Sequence, residues 1–372
     1  MIALVVNPGA SKVRLACADI QPSEAAQLQL RLQRAEVPLP AAQDLLTEVL
    51  AATEREGWPQ PDAVVSGGVL PGQVTGGTYQ ITLELLGHVQ AELGPQSAVG
   101  MALAYSLAQR WGVPAYLVDP PSVSELIPEA REVGLLGLGR TPQFHALNAR
   151  MVARRAADEV GKRFAEAGAV VAHLGSTASV TSFEKGRAID TSGNGLEGGP
   201  MGLRQAGPVA AQTFLRWLES QGTERRSPAE LRQLVLETPG GLVALTGTAQ
   251  LSELQEREAH DPAVQQAAKA LAFQTARAIG AQCAALSSRP DVIAITGPLA
   301  YWDSVVERLE RRLAWIAPVL VFPGEIETEA LAQGAGRALL ELETPLTWTP
   351  PQAAPAAASP APRSFSGAPI VI

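Results

Sequence analysis

The chain carries two copies of one sequence pattern, and this duplication constrains its fold more than any other feature. Residues 3–19 form an apolar strand, a small-residue turn that begins at Asn7, and a second strand of alternating character. Residues 170–189 repeat this arrangement around a turn at residues 175–178. Each copy predicts a β-hairpin whose turn exposes backbone N–H groups at the edge of a sheet. Hairpins are common, so the case for a duplication depends on the elements next along the chain.

Two further elements come after the hairpins in the same order in both halves of the chain. A short buried strand that ends in glycine occurs at residues 62–68 and again at 291–298. An apolar strand bounded by prolines occurs at residues 113–120 and again at 316–323. Three matched elements in each half predict an α/β protein of two similarly folded lobes, with a cleft between their facing turns.

The duplication divides the chain into three parts. Residues 1–167 are expected to form the N-terminal lobe and residues 168–343 the C-terminal lobe. One long helix is expected over residues 144–167, at the end of the first lobe. Residues 344–372 are rich in proline, alanine and serine, which predicts a disordered tail without a packed core.

Composition excludes several classes of partner. The 372 residues are enough for two domains, each with its own core, and the net charge of -8 argues against a nucleic-acid or anionic membrane surface. We expect neither a membrane span nor a signal peptide, because the sequence has no long apolar run and enters a strand pattern at once. Cys17 and Cys283 are too few for a disulfide framework or a zinc site. These features together favour a cytoplasmic protein.

Five segments carry a resemblance to a known family. The two longest are FHALNARMVARR at residues 144–155 and APVLVFPGEIETEALAQGAGRALLE at residues 317–341. The others read VVNPGASKVRLA, GGTYQITLELL, and VAHLG together with SFEKGRAID. Over residues 2–342 the chain resembles the butyrate kinases of the acetate and propionate kinase group, within the actin, Hsp70 and sugar kinase superfamily.

The resemblance implies a fold and an activity. The fold would be two duplicated actin-like (ribonuclease H-like) lobes around a nucleotide cleft, and the protein would form a homodimer. The activity would be reversible transfer of the γ-phosphoryl group of ATP to a short-chain fatty acid, with butyrate as the first candidate. Such a transfer depends on positioning, Mg²⁺ and groups that neutralise the moving phosphoryl, rather than on covalent chemistry by the protein.

The resemblance also assigns roles to five residues around the phosphoryl group. Asn7 would lie beside the phosphoryl group and the metal, and Glu327 would help to hold Mg²⁺ directly or through water. Asp119 would orient the metal or the nucleophile. His145 would support the equatorial phosphoryl oxygens, and Arg204 would stabilise the charge that develops on them. A cation with oxygen ligands, carried in with ATP or ADP, suits this set better than a dedicated metal cage.

The nucleotide is expected on the second lobe. Gly175, Ser176 and Thr177 would face the phosphates, and the turn at Gly297 would face the nucleoside. The resemblance contributes these roles. From sequence alone, Asp119 could cap a turn, and His173 is interpreted as a core or strand-end histidine.

The sequence departs from the family at both sides of the cleft. The first turn has Ala10, Ser11 and Lys12 where the family has a run of hydroxyl residues, and Lys12 is expected to supply a charge there instead. The arginine proposed to bind the substrate carboxylate is missing beside Gly67 and Gly68, where the sequence is one residue shorter. The acid is therefore expected to be held weakly and mainly through its chain.

The nucleotide side departs as well. Gly175 is followed by Ser176 and Thr177 where the family has three glycines, and Gly297 is followed by Pro298, which removes a backbone donor. Two hypotheses remain open at this point. The chain is either an active carboxylate kinase, or a family member without kinase activity that binds nucleotide or acyl phosphate in a regulatory or structural role.

Overall fold

The computed structural model describes residues 1–9, 12–23, 28–38, 45–135, 138–194, 197–222 and 226–350. Ala10 and Ser11 of the first turn and residues 351–372 of the expected tail lie outside these ranges. The strands are β1 (Ile2–Pro8), β2 (Lys12–Gln21), β3 (Gln29–Pro38), β4 (Ala63–Ser66), β5 (Thr78–Gln80), β6 (Ala115–Val118), β7 (Ala169–Leu174), β8 (Ala178–Glu184), β9 (Arg187–Thr191), β10 (Val292–Gly297) and β11 (Val319–Pro323).

The α-helices alternate with these strands. They are α1 (Leu45–Arg55), α2 (Leu83–Leu93), α3 (Val99–Trp111), α4 (Pro128–Arg131), α5 (Ala146–Glu159), α6 (Ala211–Ser220), α7 (Pro228–Glu237), α8 (Gly241–Thr246), α9 (Leu251–Glu258), α10 (Pro262–Ala285), α11 (Asp303–Leu313) and α12 (Glu327–Leu339). Among the residues that the structure describes, no helix combines the length and the apolar character that a membrane crossing needs.

Two sheets share one topology. The first sheet has the order β3-β2-β1-β4-β6-β5, and the second has the order β11-β10-β7-β8-β9. In each sheet the first three strands along the chain are antiparallel neighbours, β1-β2-β3 in one and β7-β8-β9 in the other. Two later strands then add in parallel beside β1 or β7. β1 therefore corresponds to β7, β4 to β10, and β6 to β11. The duplication inferred from sequence is confirmed, and β5 is an addition at one edge of the first sheet.

The third strand of each lobe was missed by the sequence pattern. β3 pairs with β2 over its whole length, from Lys12 opposite Pro38 to Gln21 opposite Gln29. Nearly all of β3 is partly or fully exposed. A strand with so few buried positions has little hydrophobic alternation, so its pairing with β2 is what makes it a strand.

Helices cover both faces of each sheet. α3 packs on one face of the first sheet, together with α1 and α2, and α10 packs on one face of the second. The remaining two faces point toward each other across the molecule. α5 covers the inner face of the second sheet, α12 covers the inner face of the first, and the two helices touch.

This packing differs from the simple division of the chain at residue 167. α5 belongs to the N-terminal half of the sequence but packs on β7 and β10 of the second sheet. α12 belongs to the C-terminal half but packs on β1, β4 and β6 of the first sheet. Hydrophobic periodicity shows that a helix buries one face, but it does not show which sheet receives that face.

Two predicted boundaries also change. The helix expected over residues 144–167 ends at Glu159, and residues 160–167 form turns. The first residues of the expected tail are ordered. Leu346 exchanges backbone hydrogen bonds with Thr78 and Gln80 of β5, so the chain pairs with the edge of the first sheet at this residue.

Trp348 anchors this C-terminal segment. Its side chain is 8% exposed, its Nε1 donates to the carbonyl of Pro71 at 3.2 Å, and its ring packs against His88. We expect Trp348→Ala to lower the free energy of unfolding by about 3–5 kcal/mol, because burial of a large ring and one hydrogen bond are lost. Trp315→Ala is the matched control, since that ring is 78% exposed. Urea denaturation measures both, and equal small losses would contradict the prediction.

Candidate active site

A cleft of about 600 Å³ lies between the lobes at the carboxyl ends of the parallel strands. This edge collects the residues that come after β1, β4 and β6, the end of β7, and the first turns of α5 and α12. Its lining comprises Asn7, Pro8, Gly9, Gly67, Gly68, Gln96, Ser97, Val99, Gly100, Val118, Asp119, Pro121, Phe144, His145, Ala146, Leu147, Asn148, His173, Asn194, Glu325 and Glu327. Asn7, Asp119, His145 and Glu327 of the predicted set therefore share one cleft.

Asn7, near the start of the chain, and Glu327, near its end, are joined by a side-chain hydrogen bond. The Nδ2 of Asn7 donates to Oε2 of Glu327 at 2.9 Å, and Arg14 approaches the same oxygen at 3.9 Å. Burial, and then the negative charge of Glu327, raise the pKa of Glu325 two residues away. Two carboxylates and an amide oxygen are the hard oxygen ligands that Mg²⁺ prefers. The residues present fit a cation that also takes phosphate and water ligands.

Asp119 lies directly after β6 and is buried at 4% exposure. Its φ of 40° lies in the left-handed region, which non-glycine residues seldom adopt. Oδ1 accepts a hydrogen bond from Gly77 N–H at 2.7 Å and forms an ion pair with Nε of Arg150 at 2.9 Å. A strained backbone of this kind costs about 1–3 kcal/mol and occurs preferentially at functional sites. The carboxylate is thus held in place by a buried cation.

His145 precedes α5, and both of its ring nitrogens have hydroxyl partners. Nδ1 lies 2.8 Å from Oγ of Ser179, and Nε2 lies 3.0 Å from Oγ1 of Thr177. Burial lowers the pKa of His145 to about 4, so the ring is neutral near pH 7. The Thr177 hydroxyl, at a position where the resemblance leads us to expect glycine, therefore connects the predicted nucleotide turn to the residue that precedes α5.

His173 is a buried strand-end histidine, as the sequence suggested, but it also lines the cleft. Its ring stacks on that of His145 with centroids 3.8 Å apart. Asn148 determines its tautomer: Oδ1 of Asn148 accepts from the N–H of Ile326 at 3.1 Å, so the amide Nδ2 faces Nδ1 of His173 at 2.8 Å. A ring that accepts at Nδ1 carries its proton on Nε2. Burial lowers the pKa of His173 well below its ordinary value.

Sequence reasoning passed over Asn148, although the signal was present. In FHALN, Asn148 lies three residues after His145, which places it on the first turn of α5 beside the residue that caps the helix. The same turn carries the contact to His173 from the second sheet. A polar residue at this spacing within an otherwise apolar helix start was the available indication.

The neutral histidines predict a pH dependence of stability. Because the folded-state pKa of each ring lies below the unfolded value of about 6.5, unfolding takes up protons once the pH falls below about 6.5. The free energy of unfolding should therefore fall below about pH 6.5, by up to about 1.4 kcal/mol per pH unit for each ring. Urea denaturation between about pH 7 and pH 5 measures this slope. His145→Gln should make it shallower, whereas His260→Gln, at an exposed position, should not.

The predicted nucleotide turn is supported by a loop from further along the chain. The N–H of Leu203 donates to the carbonyl of Gly175, and the N–H of Arg204 donates to that of Ser176, both at 2.9 Å. Buried Gln205 accepts from the N–H of Ala178 at 2.9 Å. The side chain of Arg204 is exposed and makes no ion pair with the described residues. The structure thus brings Arg204 beside the turn, although neither of the two lines the 600 Å³ cleft.

Gly297 closes β10 next to this turn. Its φ is 92°, and a Cβ there would lie 2.4 Å from the carbonyl oxygen of Leu174, so only glycine fits. Its N–H donates to the carbonyl of Gly324 at 3.1 Å. Gly297 therefore contributes shape to the turn rather than a free backbone donor.

Two departures from the family now have a structural description. Lys12 does not line the cleft, and its Nζ lies 2.6 Å from Oε2 of Glu36 on β3. The prediction that Lys12 supplies a charge beside the phosphoryl site is therefore wrong. Arg14, two residues further along β2 and therefore on the same face of the strand, is the cation that approaches the cleft, with its Nη1 3.9 Å from Oε2 of Glu327. A Cβ on Gly68 would lie 2.8 Å from Met101, so apolar core fills the space beside the missing arginine.

Comparisons with known proteins agree with this geometry. The model of the acetokinase family matches residues 134–314. A curated protein of Deinococcus radiodurans described as a probable butyrate kinase is 52% identical in an alignment of length 367, and the match covers 94% of each chain. The acetate kinase of Porphyromonas gingivalis has a TM-score of 0.73 at 17% identity and covers 91% of this chain and 99% of its own. A propionate kinase of Francisella tularensis has a TM-score of 0.69 at 16% identity, with coverage of 89% and 98%.

The duplicated sheets and the shared cleft define an α/β protein of two actin-like lobes, which confirms the predicted fold class. The chain belongs to the acetokinase family, within the group of acetate, propionate and butyrate kinases.

Proposed function

We propose that this chain transfers the γ-phosphoryl group of ATP reversibly to butyrate, so that butanoate and ATP give butanoyl phosphate and ADP. The observation that carries the proposal is the convergence of Asn7, Asp119, His145 and Glu327 on one cleft between duplicated lobes. The 52% identical probable butyrate kinase of Deinococcus radiodurans supports the choice of acid.

The residues divide the work of such a transfer. A carboxylate oxygen of the acid attacks the γ-phosphorus, the bond from phosphorus to the bridging oxygen of ADP breaks, and the electron pair stays on ADP. Mg²⁺, when held by Glu327 and Asn7, would neutralise phosphate charge. Arg204 stabilises the charge on the equatorial oxygens, and neutral His145 is held between the hydroxyls of Thr177 in the turn and Ser179 in β8. Asp119 orients the reacting groups from the end of β6.

The walls of the acid subsite support a substrate held by its chain. Pro8, Val99, Val118 and Pro121 line the cleft beside Gly67 and Gly68, where the family arginine is absent. Each buried CH₂ contributes about 0.8 kcal/mol, or about a fourfold gain in binding. The pocket can therefore favour butyrate over acetate without an ion pair, with discrimination of about 10-fold or less for each methylene.

A hydroxamate assay with Mg-ATP and straight-chain acids from C2 to C6 tests the proposal. We expect kcat/KM to rise from acetate to butyrate by about fourfold for each methylene. Equal kcat/KM for acetate and butyrate would contradict an acid held by its chain. No turnover of any acid, with normal Mg-ATP binding by calorimetry, would overturn the kinase proposal in favour of a non-catalytic nucleotide-binding protein.

The expected homodimer remains a prediction, and one surface is consistent with it. α6 has no buried residue, although Phe214, Leu215 and Trp217 make part of it apolar. The described charges of α6 and α7 are of both signs, so the surface suits a second copy better than a strongly charged partner. Light scattering should give twice the chain mass, and Leu215→Glu should reduce it at low concentration. An unchanged mass in that variant would place the interface elsewhere.

A further inference from the structure

We propose that Arg150 is a positioning residue of the active site. It would hold Asp119 in its cleft-facing conformation and tie that carboxylate to the second lobe. This inference deepens the proposed function and rests on it for the role of Asp119. Its observations are the contacts of one buried guanidinium.

Arg150 is 4% exposed and lies between two carboxylates. Its Nε is 2.9 Å from Oδ1 of Asp119, and its Nη1 donates to Oε2 of Glu125 at 2.9 Å. Gly76 packs directly over the guanidinium, where a Cβ would lie 2.2 Å from Cζ of Arg150. The guanidinium therefore has one position, defined by two anions and by a backbone without a side chain.

Glu125 extends the contact in both directions. Its Oε1 accepts from the N–H of Gly76 at 2.8 Å, and its Oε2 accepts from the N–H of Ala188 in β9 at 2.8 Å. Asp119 lies just after β6 of the first sheet, whereas Arg150 lies on α5, which packs on the second sheet. The chain of contacts from Asp119 through Arg150 and Glu125 to Ala188 thus crosses from one lobe to the other.

Stability alone does not account for this arrangement. A buried ion cluster often contributes nothing net to stability compared with apolar residues of similar volume. A pair of apolar side chains would fill the same space, but it would not hold a carboxylate at a strained φ of 40°. The guanidinium supplies the position of Asp119, which Gly77 N–H supports from the other side.

A matched pair of variants tests the proposal. Arg150→Lys keeps a cation but not the forked contact to two carboxylates. Arg154→Lys is the control, since Arg154 lies one turn along the same helix and pairs with Glu343 at 2.9 Å away from the cleft lining. We expect Arg150→Lys to lower kcat by about 10-fold to 100-fold with KM for Mg-ATP and acid within about threefold. Arg154→Lys should keep kcat within about threefold. Equal effects of the two variants on kcat would overturn the proposal.

A second variant covers the case in which Arg150→Lys does not fold. Gly76→Ala leaves every charge in place but puts a methyl group against the guanidinium. It should also lower kcat, with a smaller effect on KM. A Gly87→Ala variant is its control, because a Cβ there meets no atom within 4 Å. Wild-type kcat in Gly76→Ala would count against the proposal.

Amide hydrogen exchange separates this inference from the proposed function. The N–H groups of Gly76, Gly77 and Ala188 depend on Asp119 and Glu125. Their exchange, measured by NMR, should be at least about 10-fold faster in Arg150→Lys than in Arg154→Lys. This readout holds even for a protein without turnover: inactive wild type with the expected exchange would contradict only the kinase function. Unchanged exchange in Arg150→Lys would contradict only the positioning role.

Discussion

An Arg204→Ala variant is expected to lose about 10²-fold to 10³-fold in kcat while its affinity for Mg-ATP changes by less than about threefold. The guanidinium lies on a loop that is hydrogen-bonded to the Gly175–Thr177 turn, and it makes no ion pair with the described residues. A cation with no structural partner among them is available for charge that develops on the phosphoryl group. Steady-state kinetics give kcat, and calorimetry gives the affinity for nucleotide.

The control for this prediction is Arg110→Ala. Arg110 is an exposed arginine at the end of α3, at the opposite end of the first lobe from the cleft. Its removal should leave kcat within about twofold. If Arg204→Ala instead weakens ATP binding as much as it slows the reaction, Arg204 anchors the ground state. A kcat equal to that of wild type would exclude it from the reaction.

An Asp119→Asn variant is expected to lower kcat by about 10²-fold or more, because an amide cannot replace the carboxylate that orients the reacting groups. Asparagine tolerates the φ of 40°, and its amide oxygen can still accept from Gly77 N–H. Arg150 keeps Glu125 as a partner, so the loss of stability should be below the roughly 3–5 kcal/mol typical of a broken buried pair. Urea denaturation and single-turnover kinetics separate the two effects.

Asp62→Asn is the matched control for Asp119→Asn. The Oδ2 of Asp62 also accepts a backbone N–H, from Ile2 at 2.7 Å, but it lies at the far end of β1 and β4. This variant should retain kcat within about twofold. If Asp119→Asn keeps full kcat, the strained carboxylate serves the architecture of the cleft rather than the reaction.

Much of the fold could be read from local pattern. The hairpins at β1–β2 and β7–β8 and the glycine-ended strands β4 and β10 are continuous apolar runs, because both faces of these central strands are covered. Their repetition was enough to predict two lobes and a cleft. Asn7 and Asp119 lie at the ends of such strands, so the pattern also predicted their place at the sheet edge.

Other features depend on contacts between distant parts of the chain. Three examples are the packing of α5 and α12 on the sheet of the other half, the burial of Trp348, and the pairing of Lys12 with Glu36. In each case the local sequence does not indicate which residue or sheet is the partner. The same holds for Arg150, which reads as one arginine among several in FHALNARMVARR. The sequence by itself determined the duplicated lobes and the edge at which the site lies, because apolar periodicity is a local property. Only the tertiary structure decided which side chains meet there, because the partners of a charge are set by packing across the two lobes.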